Sequence, residues 1–322
     1  MKKHIGFLIK SAVFLFITAA LLMCVNSVLL PKYTYDTSDW PTTSAYTGFY
    51  EEERGSLDTL FLGSSHAVSA FSPQHLYDNY GIKSFNLGCD QQNMLLSYYW
   101  LREALKYQSP RTVVLETYLL FPYQTQEPLN SLEATTRKAM DYMRWSENKI
   151  RAVNDICRYD ENQTAVSYYF TNIRFHARWT EIEPYDFEFL SLGKNCTLKG
   201  YAAIEGECAI DGYAPFTADT AAREEPVPLM LEYFEKTAAL CRENNIRLIL
   251  VSTPYTAASA GRFGTVSALA EKYGLEYYDF NEKTLYDEVK YNFSSDNADE
   301  AHAGVLGSIK LSDRIARVII GK

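Results

Sequence analysis

The chain begins with one long apolar run, and its later apolar runs are short and separated by amphipathic stretches. The first run, 11–30, has about 20 residues, the length that spans a bilayer as a helix. Three lysines lie among the first ten residues, and only Lys32 follows closely on the other side. This asymmetry predicts that residues 1–32 are a cytosolic tail and a single-pass anchor in the cell membrane, with an extracytoplasmic body. A cleaved signal peptide is the competing interpretation, but the run is long for one and no clear Ala-x-Ala site follows it.

After a polar stretch at 33–56, interpreted as a stalk, short apolar strands alternate with amphipathic helices. The predicted strands are 57–62, 84–87, 112–117, 246–252 and 275–280, and the predicted helices are 73–80, 94–106, 228–244, 266–273 and 304–320. This alternation predicts an α/β fold, a doubly wound parallel sheet with helices on both faces. The ligand crevice of such a sheet lies at the carboxyl ends of its strands.

Residues 120–227 break this rhythm and predict a large insert that forms a cap beside that crevice. Positions 137–157 have helical spacing, whereas 185–192 and 200–216 are irregular. The insert contains His176, Arg178 and Trp179 within four positions. These three are candidates for binding an acyl donor or a sugar, and the alternative is a structural edge with exposed charges.

A serine on a tight turn and a distant Asp-x-x-His are the candidate chemistry. The strand at 57–62 runs directly into Gly63-Ser64-Ser65-His66, and Asp299-Glu300-Ala301-His302 lies near the C-terminus. Glycine permits a sharp turn, and the turn lifts a hydroxyl out of the sheet to where a base can reach it. This is the sequence form of a Ser-His-Asp acyl-transfer site, with Ser65, His302 and Asp299 as its members.

These motifs resemble those of the SGNH (GDSL-type) hydrolase superfamily, over residues 57–118 and 246–320. Gly63-Ser64-Ser65 stands where that family has Gly-Asp-Ser, a variant similar to the D-alanyl-lipoteichoic acid transfer proteins and polysaccharide O-acetyltransferases. The resemblance implies a flavodoxin-like sheet over residues 57–322, with Ser65 as nucleophile and Asp299 and His302 as the last block.

The oxyanion donors implied by the resemblance are only partly present. Ser65 and Gly88 would each supply a backbone N–H, although Gly88 alone also fits an ordinary turn glycine. The asparagine of the family's third block is missing, and Glu116 lies near its expected place.

The resemblance and the anchor together imply an O-acyltransferase or esterase that acts on a cell-envelope polysaccharide or teichoic-acid-like polymer. A membrane-bound O-acyltransferase is a candidate partner. The alternative is a non-catalytic SGNH-like module that binds polysaccharide or such a partner, and the missing asparagine favours it.

Composition narrows these classes further. The net charge of −9, from 31 basic and 40 acidic residues, argues against nucleic-acid binding. The 25 tyrosines and 17 phenylalanines fit either sugar binding or ordinary packing. The sequence has no Cys-x-x-Cys and no cluster with metal-ligand spacing, so we predict neither a metal nor another cofactor.

Several further side chains have two interpretations each. His66 would position an acyl donor or pack at a helix start, and Tyr255 would line the pocket or belong to an ordinary turn. Asp296 is an alternative orienting acid for the histidine. Cys196 and Cys208 would form a disulfide outside the cell or stay as thiols.

Overall fold

The structure, a computed structural model, describes residues 2–32, 43–123, 128–188, 196–208, 210 and 212–321. A five-stranded sheet has the order β2-β1-β3-β4-β5, and all of its neighbouring strands are parallel. The strands are β1 (Thr59–Leu62), β2 (Ser84–Asn86), β3 (Thr112–Glu116), β4 (Arg247–Ser252) and β5 (Glu276–Asp279). The mixed α/β class and the parallel sheet are therefore confirmed.

Helices occupy most of the remaining described chain. They are α1 (Lys2–Leu29), α2 (Thr43–Phe49), α3 (Ser65–Ala70), α4 (Pro73–Tyr80), α5 (Met94–Ala104), α6 (Glu133–Asp141), α7 (Glu147–Tyr159), α8 (Ala165–Tyr169), α9 (Thr171–Phe175), α10 (Pro228–Glu243), α11 (Ala260–Tyr273), α12 (Lys283–Glu288), α13 (Phe293–Asp296) and α14 (Val305–Ile319). Short 3-10 helices cover Tyr118–Leu120, His176–Thr180 and Pro184–Phe187.

Alternate residues of each central strand pack into different hydrophobic clusters on the two faces of the sheet. In β1, Leu60 and Leu62 join a cluster with α5 and α10, whereas Phe61 joins one with α4 and α14. Successive side chains of a strand point to opposite faces, so a strand buried on both sides reads as a continuous apolar run. This is why the runs of β1, β3 and β4 are recognisable as strands.

Helix α1 is long and apolar enough to cross a membrane, from His4 to Leu29, with a mean hydropathy of 2.4 in its most apolar window. Its last turn is tied to the domain. Arg178 Nη1 donates to the carbonyl of Leu29 at 2.8 Å, and the Tyr142 hydroxyl donates to the carbonyl of Pro31.

The stalk predicted at 33–56 is corrected in its second half, while residues 33–42 lie outside the described residues. From Thr43 onward the chain belongs to the folded domain, because α2 buries Tyr46 and Phe49 completely. The Tyr46 ring stacks on Trp100 of α5 at 4.5 Å between centroids.

The predicted cap is also only partly where it was expected. The single helical stretch at 137–157 is two helices, α6 and α7, and contacts join α7 to α5. The irregular segment after Gly200 does reach the carboxyl edge of the sheet, where Ala202 N–H donates to the carbonyl of Val68 at 3.0 Å.

Candidate active site

The turn after β1 holds the candidate nucleophile in a constrained geometry. Gly63 has φ +148°, and a Cβ there would lie 2.6 Å from the Cβ of Glu116, so only glycine fits. Ser64 caps the helix that follows, its Oγ accepting from His66 N–H at 3.3 Å. Ser65 is therefore the first residue of α3, where backbone N–H groups have no intrahelical acceptor.

Ser65, His302 and Asp299 form one chain of hydrogen bonds. The Ser65 Oγ lies 2.9 Å from His302 Nε2, and His302 Nδ1 lies 2.9 and 2.8 Å from the two carboxylate oxygens of Asp299. An ionised carboxylate can only accept, so Nδ1 carries the proton and Nε2 is left to accept from the serine hydroxyl. The structure thus brings together the three side chains selected from sequence, and their catalytic roles stay predictions.

A tight loop before α14 supplies both the acid and the base. The Asp299 carboxylate accepts from the N–H groups of Ala301 and His302 at 2.8 and 2.9 Å. Burial of the half-exposed Asp299 carboxyl raises its pKa, but the hydrogen bonds from the His302 side chain and these N–H groups outweigh it and lower the pKa to about 2. Asp299 is therefore ionised at neutral pH, and its negative charge lies beside the His302 ring.

Gly88 packs directly against the nucleophile turn. A Cβ at position 88 would lie 2.5 Å from the carbonyl oxygen of Gly63 and 3.1 Å from Val68 of α3. This contact explains the glycine sterically and places residue 88 beside the turn that carries Ser65. Donation from the Gly88 N–H to an oxyanion remains a prediction.

Glu116, at the end of β3, forms a hydrogen bond with the same turn through Ser64. Its Oε2 accepts from the Ser64 hydroxyl at 2.8 Å, and its Oε1 accepts from Tyr118 N–H at 2.5 Å. Burial raises the pKa of this carboxyl to about 7, although the bonds from Ser64 and the backbone lower it. Glu116 thus helps to hold the turn that carries Ser65 in place. As a carboxylate, it lacks the amide N–H that the missing asparagine would donate.

His66 lies inside an aromatic wall beside the candidate site. Its ring stacks on Tyr118 with centroids 3.9 Å apart and meets Tyr255 edge to face at 5.2 Å. Its Nδ1 lies 3.1 Å from Thr253 Oγ1, and its ring centroid lies 5.5 Å from that of His302. Burial holds the pKa of His66 well below its usual range, so the ring is neutral.

The wall settles where the two pocket candidates lie. His66 is 1% exposed and Tyr255 5% exposed, so both are buried and present almost no surface to a ligand. Tyr123, which is 43% exposed, extends the wall outward at 5.5 Å from the Tyr118 ring.

The structure does not place the histidine, arginine and tryptophan of the insert beside Ser65. Arg178 pairs with the fully buried Asp186 at 3.0 Å and donates to a carbonyl in the last turn of α1. Its guanidinium is therefore occupied by structural contacts. His176 Nδ1 lies 2.9 Å from the carbonyl of Ile173, and Trp179 is 70% exposed on the same segment. The prediction that they line the substrate pocket is therefore corrected.

The structure decides two alternatives that the sequence left open, the acid that orients the histidine and the state of Cys196 and Cys208. Asp296 accepts from Lys310 Nζ at 2.6 Å and from Asn292 N–H at 2.7 Å, whereas Asp299 holds the imidazole. Among the described residues no disulfide is formed, so Cys196 and Cys208 are not bridged.

Sequence reasoning missed one contributor to the site, Tyr118. Tyr118 had no signal beyond its place after a strand, whereas Thr253 belongs to the stretch 252–255, whose position after a strand already suggested a pocket lining or an ordinary turn. Glu116 did carry a signal, because a carboxylate at the end of an otherwise apolar central strand is unusual unless it is bound.

Comparison with known proteins adds no further assignment to this geometry. No protein-family model matches the chain, and no curated protein matches it significantly.

Proposed function

We propose that this protein is a membrane-anchored serine acyl-transfer enzyme, an O-acyltransferase or esterase, that acts outside the cytoplasm on a cell-envelope glycopolymer. The observation that carries the proposal is the hydrogen-bonded chain from Ser65 through His302 to Asp299. It lies at the carboxyl ends of β1 and β3. Here the sheet has its topological switch point, because β2 and β3 lie on opposite sides of β1. Ligands of doubly wound sheets bind at such a point, which also supports a flavodoxin-like sheet of the SGNH type.

The proposed reaction follows from the protonation states of Ser65, His302 and Asp299. His302 Nε2 takes the hydroxyl proton as Ser65 Oγ attacks an acyl carbonyl, and Asp299 stabilises the imidazolium. The backbone N–H groups of Ser65 and Gly88 donate to the oxyanion. Collapse releases the alcohol or thiol, which receives the proton from His302. Water or a sugar hydroxyl then attacks the acyl-serine by the same steps in reverse.

A polymer hydroxyl is the acceptor that the surroundings favour. Tyr123, which is 43% exposed, and the half-buried Tyr118 offer ring surface near the nucleophile turn, on which a sugar could stack and displace water, and the buried His66 and Tyr255 support the Tyr118 ring from behind. A teichoic-acid-like polymer or another envelope polysaccharide meets this description, and a membrane-bound O-acyltransferase is a fitting donor partner. The lysines before α1 favour an extracytoplasmic body.

The first test is labelling of Ser65 by a fluorophosphonate probe in the full chain in detergent. We expect labelling of the wild type, none of Ser65→Ala, and strong loss in His302→Gln. His75→Gln is a matched control, because His75 forms a second His–Asp pair, 2.7 Å from Asp313, that contacts no serine nucleophile. Ser69→Ala, one turn further along α3, is the control for the serine.

The second test distinguishes transfer of the acyl group to a glycan from its hydrolysis by water. An acyl-ester donor is supplied with and without envelope glycan, and acyl release and glycan acylation are followed together. Glycan acylation supports the transferase, whereas rapid hydrolysis without glycan product identifies an esterase. If neither turnover nor labelling is seen and Ser65→Ala behaves like the wild type, the result would favour the non-catalytic module. The observation that supports this alternative is that the Glu116 carboxylate stands where the family has an asparagine that donates to the oxyanion.

A further inference from the structure

A concentrated apolar surface lies on the segment between α8 and the last 3-10 helix of the insert. Large apolar side chains on it are 37–70% exposed, and we call these seven residues the apolar belt: Val166, Phe170, Ile173, Trp179, Ile182, Tyr185 and Phe187. Soluble surfaces scatter such side chains singly, whereas a concentration of them in one segment of the chain points to an interaction site.

The belt is attached to the C-terminal end of α1. Helix α9 and both 3-10 helices, His176–Thr180 and Pro184–Phe187, contact α1. Asn172 N–H donates to Asn26 Oδ1 at 2.9 Å, and Arg178 donates to the carbonyl of Leu29. The belt is therefore held at the level of the last turn of α1.

The length of α1 sets that level relative to a bilayer. At about 1.5 Å per residue, a 26-residue helix rises about 39 Å, roughly 9 Å more than a hydrocarbon core of about 30 Å. The last turn of α1 then lies in the headgroup region, and whatever is bound to it lies there too. Segments rich in Trp, Tyr and Phe are typical of this depth, where amphipathic rings meet lipid and water together.

We propose that the apolar belt is a second membrane contact, lying in the interfacial layer of the leaflet from which α1 emerges, with lipid as its occupant. The continuity with α1 decides between lipid and protein, because side chains at this depth beside the span face acyl chains unless another chain displaces them. The exposed Trp179 and Phe187 lie on the belt's 3-10 helices and enter the layer beside α1. This proposal rests on the membrane anchor of the proposed function, but not on acyl transfer.

The test measures the depth of single spin labels in the full chain reconstituted in phosphatidylcholine–phosphatidylglycerol nanodiscs. Ile173→Cys and Phe187→Cys probe the belt in a background with Cys24, Cys157 and Cys196 replaced by serine. Leu306→Cys is the matched control, an apolar residue 57% exposed on α14. We expect the ratio of oxygen to nickel-chelate collision rates to be several-fold higher at 173 and 187 than at 306.

Three results would overturn the proposal. Equal nickel-chelate access at all three positions would place the belt in water. Shielding from both reagents with dipolar broadening between labels would mean that a second copy covers it. Release of the chain from membranes by carbonate would remove the anchor and this proposal together, whereas failure of fluorophosphonate labelling would leave this proposal intact.

Discussion

Replacing Glu116 by glutamine should remove a pH-dependent loss of stability. The pKa of this buried carboxyl is raised from 4.5 to about 7 in the fold. The folded state therefore holds the proton more tightly than the unfolded chain, so the stabilising contribution of Glu116 is fully present below pH 4.5. It is lost as the pH rises through about 7, because the buried group must then either ionise or stay protonated at a cost.

The magnitude follows from the size of the shift. A difference of about 2.5 units, at about 1.4 kcal/mol each, amounts to roughly 3 kcal/mol of unfolding free energy lost between pH 4 and pH 8. Glu116→Gln cannot ionise, so the variant avoids this loss. A constant offset is also expected, because the amide must donate toward Ser64 where the carboxylate accepted its hydroxyl. The offset cancels when the variant-minus-wild-type difference is compared between two pH values.

Urea unfolding of the full chain in detergent micelles measures this difference, with near-ultraviolet circular dichroism reporting the packing of the buried Trp100. We expect the stability of Glu116→Gln relative to wild type to rise by about 3 kcal/mol from pH 4 to pH 8. Asp141 and Asp279, whose pKa values are also raised by burial, contribute equally to both proteins.

A matched control with the opposite sign is Glu276→Gln. Hydrogen bonds from Arg247 lower the pKa of Glu276, so its stabilising contribution is present at neutral pH and is lost on acidification. A difference for Glu116→Gln that is flat with pH, or that falls as pH rises, refutes the burial argument.

Three further variants test the site and its support. If the proposed mechanism holds, Asp299→Asn should lower acyl transfer by about 10²- to 10⁴-fold with little change in melting temperature, because an amide no longer fixes the tautomer of the His302 imidazole; unchanged turnover would exclude Asp299 from the mechanism. Gly88→Ala should lower labelling of the nucleophile by about 10²-fold, since its Cβ would push the Gly63 carbonyl from its place by a sizeable fraction of an ångström, and wild-type labelling would show that the turn yields freely. Arg178→Met should destabilise the chain by roughly 3 kcal/mol in urea unfolding by leaving the buried Asp186 unpaired, and adding Asp186→Asn should restore part of it; no recovery in the double variant would contradict the pairing.

The strands β1, β3 and β4 were predictable from sequence because they are buried on both faces, whereas the edge strand β5 is mostly half-buried. Runs such as Thr112-Val113-Val114-Leu115 carry that burial in a few consecutive positions and need no information from elsewhere in the chain. The helices with clear ends were equally readable: α4 begins at Pro73 after the cap Ser72 and ends before Gly81.

The missed elements depend on long-range contacts or on short, weakly patterned sequence. Helix α2 reads as polar, and its two buried rings, Tyr46 and Phe49, become meaningful only against α5. Arg178 lies beside a histidine and a tryptophan in sequence, yet one of its acceptors is a carbonyl 149 positions away. No local pattern distinguishes such a structural arginine from one that binds a substrate.

The candidate site could be selected because its members are fixed by local backbone chemistry. The glycine before the nucleophile and the three-residue spacing of Asp299 and His302 are both requirements of single turns. The support from Glu116 and Thr253 comes from other strands, so it could not be read from either motif.

The loop that carries Asp299 and His302 closes on itself. Asn297 and Ala303 form an antiparallel bridge, and Ala298 N–H donates to the carbonyl of His302 at 2.9 Å. Acid and base therefore move as one unit, and of the bonds within the triad only the one from Ser65 Oγ crosses to it from another element. Local opening of this loop would separate base from nucleophile while the sheet stays folded, so thermal inactivation should precede global melting, and the amide protons of the loop should exchange ahead of those in β1 and β3.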